Sequence, residues 1–91
     1  MNVVFTSHAW AEFEEWLDED PETAQKIREL IKAIRREPFK GIGKPESLKY
    51  SLKGFWSRRI TREHRLVYRI AGKKGEGQRV EIIQCKFHYE D

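Results

Sequence analysis

Three side chains, far apart in this 91-residue sequence, have the chemistry to break a ribonucleotide phosphodiester: the carboxylate of Glu46, the guanidinium of Arg65 and the imidazole of His88. Attack by a 2′-hydroxyl needs a base to take its proton and an acid to protonate the departing 5′-oxygen. It also needs positive charge where the phosphoryl oxygens become more negative. Glutamate, histidine and arginine meet these demands, and histidine is the side chain that ordinarily titrates near neutrality. Lys49 and Arg59 are the candidates to hold the phosphate, arginine through its planar fork of donors. Tyr89, next to His88, is placed to stack on a splayed base. Each residue also has a plainer reading. A glutamate before a strand is commonly a solvated carboxylate, and a histidine near a chain end a surface or packing group. Arg65 on a sheet face fits a cross-strand ion pair with Glu81, and Arg58 with Arg59 fits protective charge on an edge strand.

These side chains need elements to bring them together, and hydrophobic periodicity supplies them. Asn2-Val3-Val4-Phe5 is a short β-prone run. Ala9, Trp10, Phe13, Trp16 and Leu17 then recur at helical spacing, with Ser7 as the expected N-cap. Asp20-Pro21-Glu22 starts a second helix as cap, first-turn proline and first-turn acid. Its stripe is Ala24, Ile27, Leu30, Ile31 and Ile34, and Pro38 ends it at Glu37. Phe39 to Pro45, with Gly41 and Gly43, is a loop and lacks a phosphate-binding glycine pattern. From Glu46 the period becomes two. Leu48 and Tyr50, Trp56 and Ile60, Leu66, Tyr68 and Ile70, then Ile83, Cys85 and Phe87 form the apolar series. Ala71 to Gln78 reads as a hairpin turn. The expected fold is α+β: an N-terminal strand, a two-helix hairpin, then an antiparallel β meander, as one domain over 1–91.

If the apolar members face the helices, the alternate ones face outward. That set contains Lys49, Arg59, Arg65, Arg69, Lys86 and His88, a cationic surface with Glu46 at its border. Charge along the chain agrees. Residues 1–45 hold 7 Lys/Arg and 9 Asp/Glu, while residues 46–91 hold 11 and 6, a net −2 against +5. A basic half suits a polyanion. His64 alternates to the buried side, His8 belongs to a helix start, and Trp10, Phe13 and Trp16 read as core.

Bulk properties exclude several classes. A single cysteine, Cys85, cannot form an internal disulfide or a cysteine-based zinc cluster, and reads as a packed thiol. No ligand cluster is spaced for a metal, so no metal or cofactor is expected. No apolar run approaches the roughly 20 residues that cross a bilayer, and His8, Glu12 and Glu14 interrupt any signal-like start. The expectation is a cytoplasmic protein with no membrane association.

Four ordered segments carry a more specific signal: Gly43-Lys44-Pro45-Glu46-Ser47-Leu48-Lys49, Gly54-Phe55-Trp56-Ser57-Arg58-Arg59-Ile60, Glu63-His64-Arg65-Leu66-Val67-Tyr68, and His88-Tyr89. With them the chain closely resembles the YoeB (Txe) branch of the RelE/ParE toxins, from the first strand to Tyr89. The resemblance implies the microbial-ribonuclease-like RelE fold and the toxin role of a type II toxin–antitoxin system. It implies a metal-independent endoribonuclease that cuts mRNA in the A site of the 70S ribosome and inhibits translation. Glu46 would be the base, Arg65 the transition-state stabiliser and His88 the acid. Lys49 and Arg59 would handle the phosphate and Tyr89 would position the RNA. It further implies a YefM/Phd-type antitoxin, operator DNA bound only by the toxin–antitoxin complex, and leaves room for a homodimer. Two features depart from the pattern. The 71–78 hairpin is longer and more basic, and Glu90 and Asp91 add negative charge after the terminal His-Tyr, which is expected to weaken RNA binding.

Overall fold

The computed structural model describes residues 1–88. The elements run β1 (Asn2–Phe5), α1 (Ser7–Glu19), α2 (Pro21–Arg36), β2 (Glu46–Ser47), a 3₁₀ turn (Tyr50–Leu52), β3 (Trp56–Arg59), β4 (Arg65–Lys73) and β5 (Glu76–Gln84). One five-stranded sheet has the order β1-β5-β4-β3-β2. The last four strands form the antiparallel meander, and β1 joins the far edge parallel to β5. This is the expected α+β architecture.

Local chemistry sets the element boundaries. The amide of Thr6 donates to the Ile82 carbonyl at 3.0 Å, so Thr6 stays extended as the continuation of β1. Its hydroxyl accepts from the Ala9 amide at 3.1 Å, which makes Thr6 the N-cap and Ser7 the first helical residue, one position earlier than expected. Asp20 caps α2 through Thr23, and Pro21 opens it. Glu37 is extended at φ −139° because Pro38 follows.

The helices cover one face of the sheet. Phe13, Trp16, Ile27, Leu30 and Ile34 pack against Leu66, Tyr68, Val80, Ile82 and Cys85. Trp10 lies at the margin, 46% exposed and edge-on to Phe5, so the first helix buries a narrower stripe than expected. Tyr50 leaves the sheet altogether and is 80% exposed in the 3₁₀ turn, since β2 contributes only two residues. The 71–78 segment is mostly strand, with β4 and β5 extending to Lys73 and Glu76.

One irregularity decides how the C-terminal residues point. Tyr68 pairs with Ile82 but Val67 pairs with Gln84, so Ile83 is an extra residue in β5. A bulge of this kind shifts the side-chain parity of the strand. Val80 and Ile82 face the helices before it, and Cys85 is fully buried after it. The expected apolar series Ile83, Cys85, Phe87 therefore holds only at Cys85. Phe87 is 62% exposed and Ile83 lines the opposite face.

Candidate functional site

Register places the candidate residues. Residues paired across adjacent strands lie on the same face. On the face away from the helices, Glu46 pairs with Ser57, Ser57 with Val67, and Val67 with Gln84, a row crossing four strands. The next row toward the start of β4 is Arg59 opposite Arg65. Glu46, Arg59 and Arg65 thus share one surface. Val67, expected to face solvent in this series, is completely buried, as is most of Leu48. Both lie outside the helix-side cluster, so this second face has an apolar floor of its own.

His88 follows a segment clamped from two sides. The Cys85 amide donates to Glu12 Oε1 at 2.8 Å and the Cys85 carbonyl accepts from Trp16 Nε1 at 2.8 Å. Lys86 Nζ donates to Glu15 at 2.7 Å and lies 5.0 Å from the centre of the Trp16 ring. The Phe87 amide donates to His64 Nδ1 at 2.7 Å, and the Phe87 carbonyl accepts from the Arg65 amide at 3.0 Å. The Gln84 side-chain amide donates to the Lys86 and Phe87 carbonyls. Phe87 takes a left-handed φ of +63° within these bonds. His88 is therefore delivered beside the first residue of β4, next to Arg65. His64 is structural as expected, edge-on to Trp16 at 4.8 Å. Tyr89 lies outside the described residues.

The cations divide into spent and unspent groups. Arg65 is only 9% exposed, and its Nη1 donates to the carbonyls of Thr61, Arg62 and His64 at 2.9, 3.2 and 3.1 Å. A loop of carbonyl dipoles thus fixes the guanidinium, and the ion pair with Glu81 belongs to Arg69 and Arg79 instead. Lys86, expected on the cationic face, is tied to Glu15 and Glu19 of α1. Lys49 and Arg59 are exposed and form no ion pair among the described residues.

Arg58 departs furthest from expectation. It shares the parity of Trp56 and Ile60 and is completely buried. Its Nε donates to the Tyr68 hydroxyl at 3.2 Å, Nη1 to the Ile42 carbonyl at 3.1 Å, and Nη2 to the Glu37 and Lys40 carbonyls at 2.6 and 2.7 Å. The charge is solvated by neutral oxygens of the loop that leads from α2 to Glu46. The adjoining Arg59 amide donates to the Gly43 carbonyl at 2.7 Å. Gly43 sits at φ +83°, and a Cβ there would meet Leu30 Cδ2 at 2.8 Å, so only glycine fits without displacement. Burial pushes the Tyr68 hydroxyl above its usual range, an effect partly offset by Arg58. Burial, then the charges of Glu12 and Glu15, push the Cys85 thiol up to about 12, so it stays protonated and inert. Among the described residues no three His, Cys, Asp or Glu side chains cluster to hold a metal ion. No helix among them is long and apolar enough to cross a membrane.

Comparison with known proteins places this arrangement. Residues 5–89 match the family described as the YoeB-like toxin of bacterial type II toxin–antitoxin systems. The chain belongs to this family. It is 48% identical over 90 residues to Toxin YoeB of Synechocystis, covering 99% of each chain. It is 45% identical over 89 residues to Toxin YoeB of Streptomyces coelicolor, covering 98% of this chain and all of that one. The fold matches a YoeB/ParE toxin from Agrobacterium tumefaciens with a TM-score of 0.92 and 50% identity, over 98% of this chain and 100% of that one. It also matches a YoeB–YefM heterotetramer from Staphylococcus aureus with a TM-score of 0.85 and 40% identity, over 98% of each chain. YafQ of Escherichia coli, at 13% identity and a TM-score of 0.73 over 96% of this chain and 92% of that one, shares the fold alone. The chain is thus a type II toxin of the YoeB/RelE group.

Proposed function

We propose that this YoeB-family chain is a metal-independent endoribonuclease that cuts mRNA in the ribosomal A site and so stops translation. The observation that carries the reading is the shared face: Glu46, Arg59 and Arg65 on one side of the sheet in adjacent rows, with His88 held beside Arg65 through the Phe87 carbonyl. Glu46 takes the proton of the 2′-hydroxyl as it attacks the adjacent phosphorus, and His88 protonates the departing 5′-oxygen. The product is a 2′,3′-cyclic phosphate. Arg65, fixed by three carbonyls, presents charge to the phosphoryl oxygens without reorganising, the condition under which electrostatic stabilisation is largest. Lys49 and Arg59, exposed at the rim, take the flanking phosphates, and Tyr89 positions the base.

Glu46, Lys49 and Arg59 are exposed at the surface, so a large partner that presents the mRNA supplies the ordering. The ribosome is that partner in this reading. A YefM/Phd-type antitoxin covers the same cations, operator DNA is bound only by the toxin–antitoxin complex, and the chain self-associates as a homodimer. The antitoxin partner and the homodimer are supported by the S. aureus YoeB–YefM complex and YoeB dimer. Reconstituted translation followed by primer extension tests the proposal. The parent should cut within the A-site codon in the presence of a chelator, and His88→Gln and Glu46→Ala should not, with melting temperatures preserved. Binding without cleavage by the parent would make the chain a non-catalytic RNA module.

A further inference from the structure

The open face continues past the candidate site along β4. Two residues beyond Val67, a third row crosses the sheet: Phe55 beside the start of β3, then Arg69, then Glu81, then Val4. Arg69 pairs with Glu81 and lies 5.4 Å over the Phe55 ring. Glu81 accepts from Arg69 Nε at 2.5 Å and from Arg79 Nε at 2.7 Å, which draws its carboxyl below the usual range and fixes both oxygens. Phe55, Ile83, Val4, Arg69 and Glu81 line a cleft of about 270 Å³. The parity shift at Ile83 turns that apolar side chain into the cleft and away from the core. The cleft therefore combines an apolar floor, one guanidinium and one oriented carboxylate. Arg65 and Arg69 are four residues apart on one strand face, about 13 Å at ~3.3 Å per residue. That is roughly two nucleotides of a splayed single strand.

The geometry points to this cleft as a base-binding subsite for the RNA strand whose phosphate lies at Arg65, selective for a nucleobase with an exocyclic amino group. The inference rests on the nuclease reading above and deepens it. Phe55 and the Arg69 guanidinium supply a stacking surface, which every base can use. Selection comes from Glu81: an ionised carboxylate accepts from the exocyclic amino group of adenine, cytosine or guanine, whereas uracil has none and flanks its one ring N–H with two carbonyl oxygens that repel the carboxylate. Two guanidinium groups hold Glu81 in place, so the base meets a fixed acceptor. Arg79, on the far side, extends the positive charge along the strand's path.

The test uses mRNAs stalled on ribosomes that differ only in the base at each position within three nucleotides of the cut, an abasic residue included. The parent should cut fastest when one such position, about two nucleotides away, carries adenine, cytosine or guanine, on the order of tenfold faster than with uracil there. Glu81→Gln should flatten that preference. Phe55→Leu should slow cutting of the intact template by a similar factor and leave cutting of the abasic template as the parent's. Three results would overturn the subsite while leaving the nuclease reading intact. The parent could ignore base identity at every position. The variants could slow the abasic template equally, which marks a structural role. Or they could weaken antitoxin binding with the base preference unchanged, which gives the cleft to a protein partner. If the parent cuts no template, the nuclease reading itself fails and the subsite with it.

Discussion

Replacing Arg58 with leucine removes a buried cation and its four hydrogen bonds together. The side chain has no exposed surface, and its acceptors are the carbonyls of Glu37, Lys40 and Ile42 and the Tyr68 hydroxyl. The Tyr68 hydroxyl in turn donates to the Pro38 carbonyl at 2.6 Å, so one residue organises most of the loop from 37 to 42. Hydrogen bonds to a charged group contribute roughly 1.5–3 kcal/mol each, but carbonyls at the loop's outer side recover water when the donor is lost. Acceptors left buried without a donor cost roughly 1–3 kcal/mol each, so two that stay dry make the loss about 3–5 kcal/mol. A chain of this length has roughly 5–14 kcal/mol in total. At about 4–8 °C per kcal/mol for a domain of this size, the variant should melt at least 12 °C below the parent. Arg58→Lys keeps the charge but cannot span four acceptors, and should fall between. Melting followed by circular dichroism measures all three proteins. Because the loop feeds Glu46, mRNA cutting by Arg58→Leu should drop more than its unfolded fraction explains. A leucine variant melting within about 4 °C of the parent would refute the reasoning, since the carbonyls would then have another source of donors.

Four smaller perturbations probe other parts of the account. Thr6→Ala removes the α1 cap and should cost about 1 kcal/mol by urea unfolding, whereas Ser7→Ala should cost less. Gly43→Ala forces a Cβ onto Leu30 at a left-handed position, and should destabilise by roughly 1–3 kcal/mol in the same assay. Cys85 should resist iodoacetamide in the native protein at pH 8 and react once unfolded, because its thiol is held up at about 12. The Glu81 carboxyl is lowered in the folded state, first by Arg69 and then by Arg79. Its contribution is present above the unfolded value, near 4.5, and is lost as pH falls through the lower folded value, so Glu81→Gln should flatten the acid limb of a stability–pH curve.

The parts legible in the sequence were those governed by local rules. Asp20-Pro21 and Glu37-Pro38 bracket α2 by backbone chemistry that needs no tertiary context. The alternation through Trp56–Arg59 and Arg65–Ile70 assigned Arg59 and Arg65 to one face because those strands pair in unbroken register. Parity misled where register broke. The extra residue at Ile83 turned it away from the core, and the tail after Cys85 carried Lys86 to α1. Arg58 was legible in principle, since it shares the parity of Trp56 and Ile60. A charged side chain at a core position can be recognised only when the carbonyls that solvate it are known, and those come from a loop about 20 residues earlier in the chain. The clamp of Glu12 and Trp16 on Cys85, which sets the path to His88, spans the whole chain and leaves no local trace.

The most direct measurement is cleavage of a ribosome-bound mRNA in which one nucleotide, the one 5′ to the cut, carries hydrogen in place of its 2′-hydroxyl. If Glu46 activates that hydroxyl and His88 protonates the leaving oxygen, cutting at this bond should vanish while the unmodified message yields a cyclic phosphate end. Continued cutting of the deoxy-substituted bond at the parent rate would contradict the account, because the attacking oxygen would then come from elsewhere.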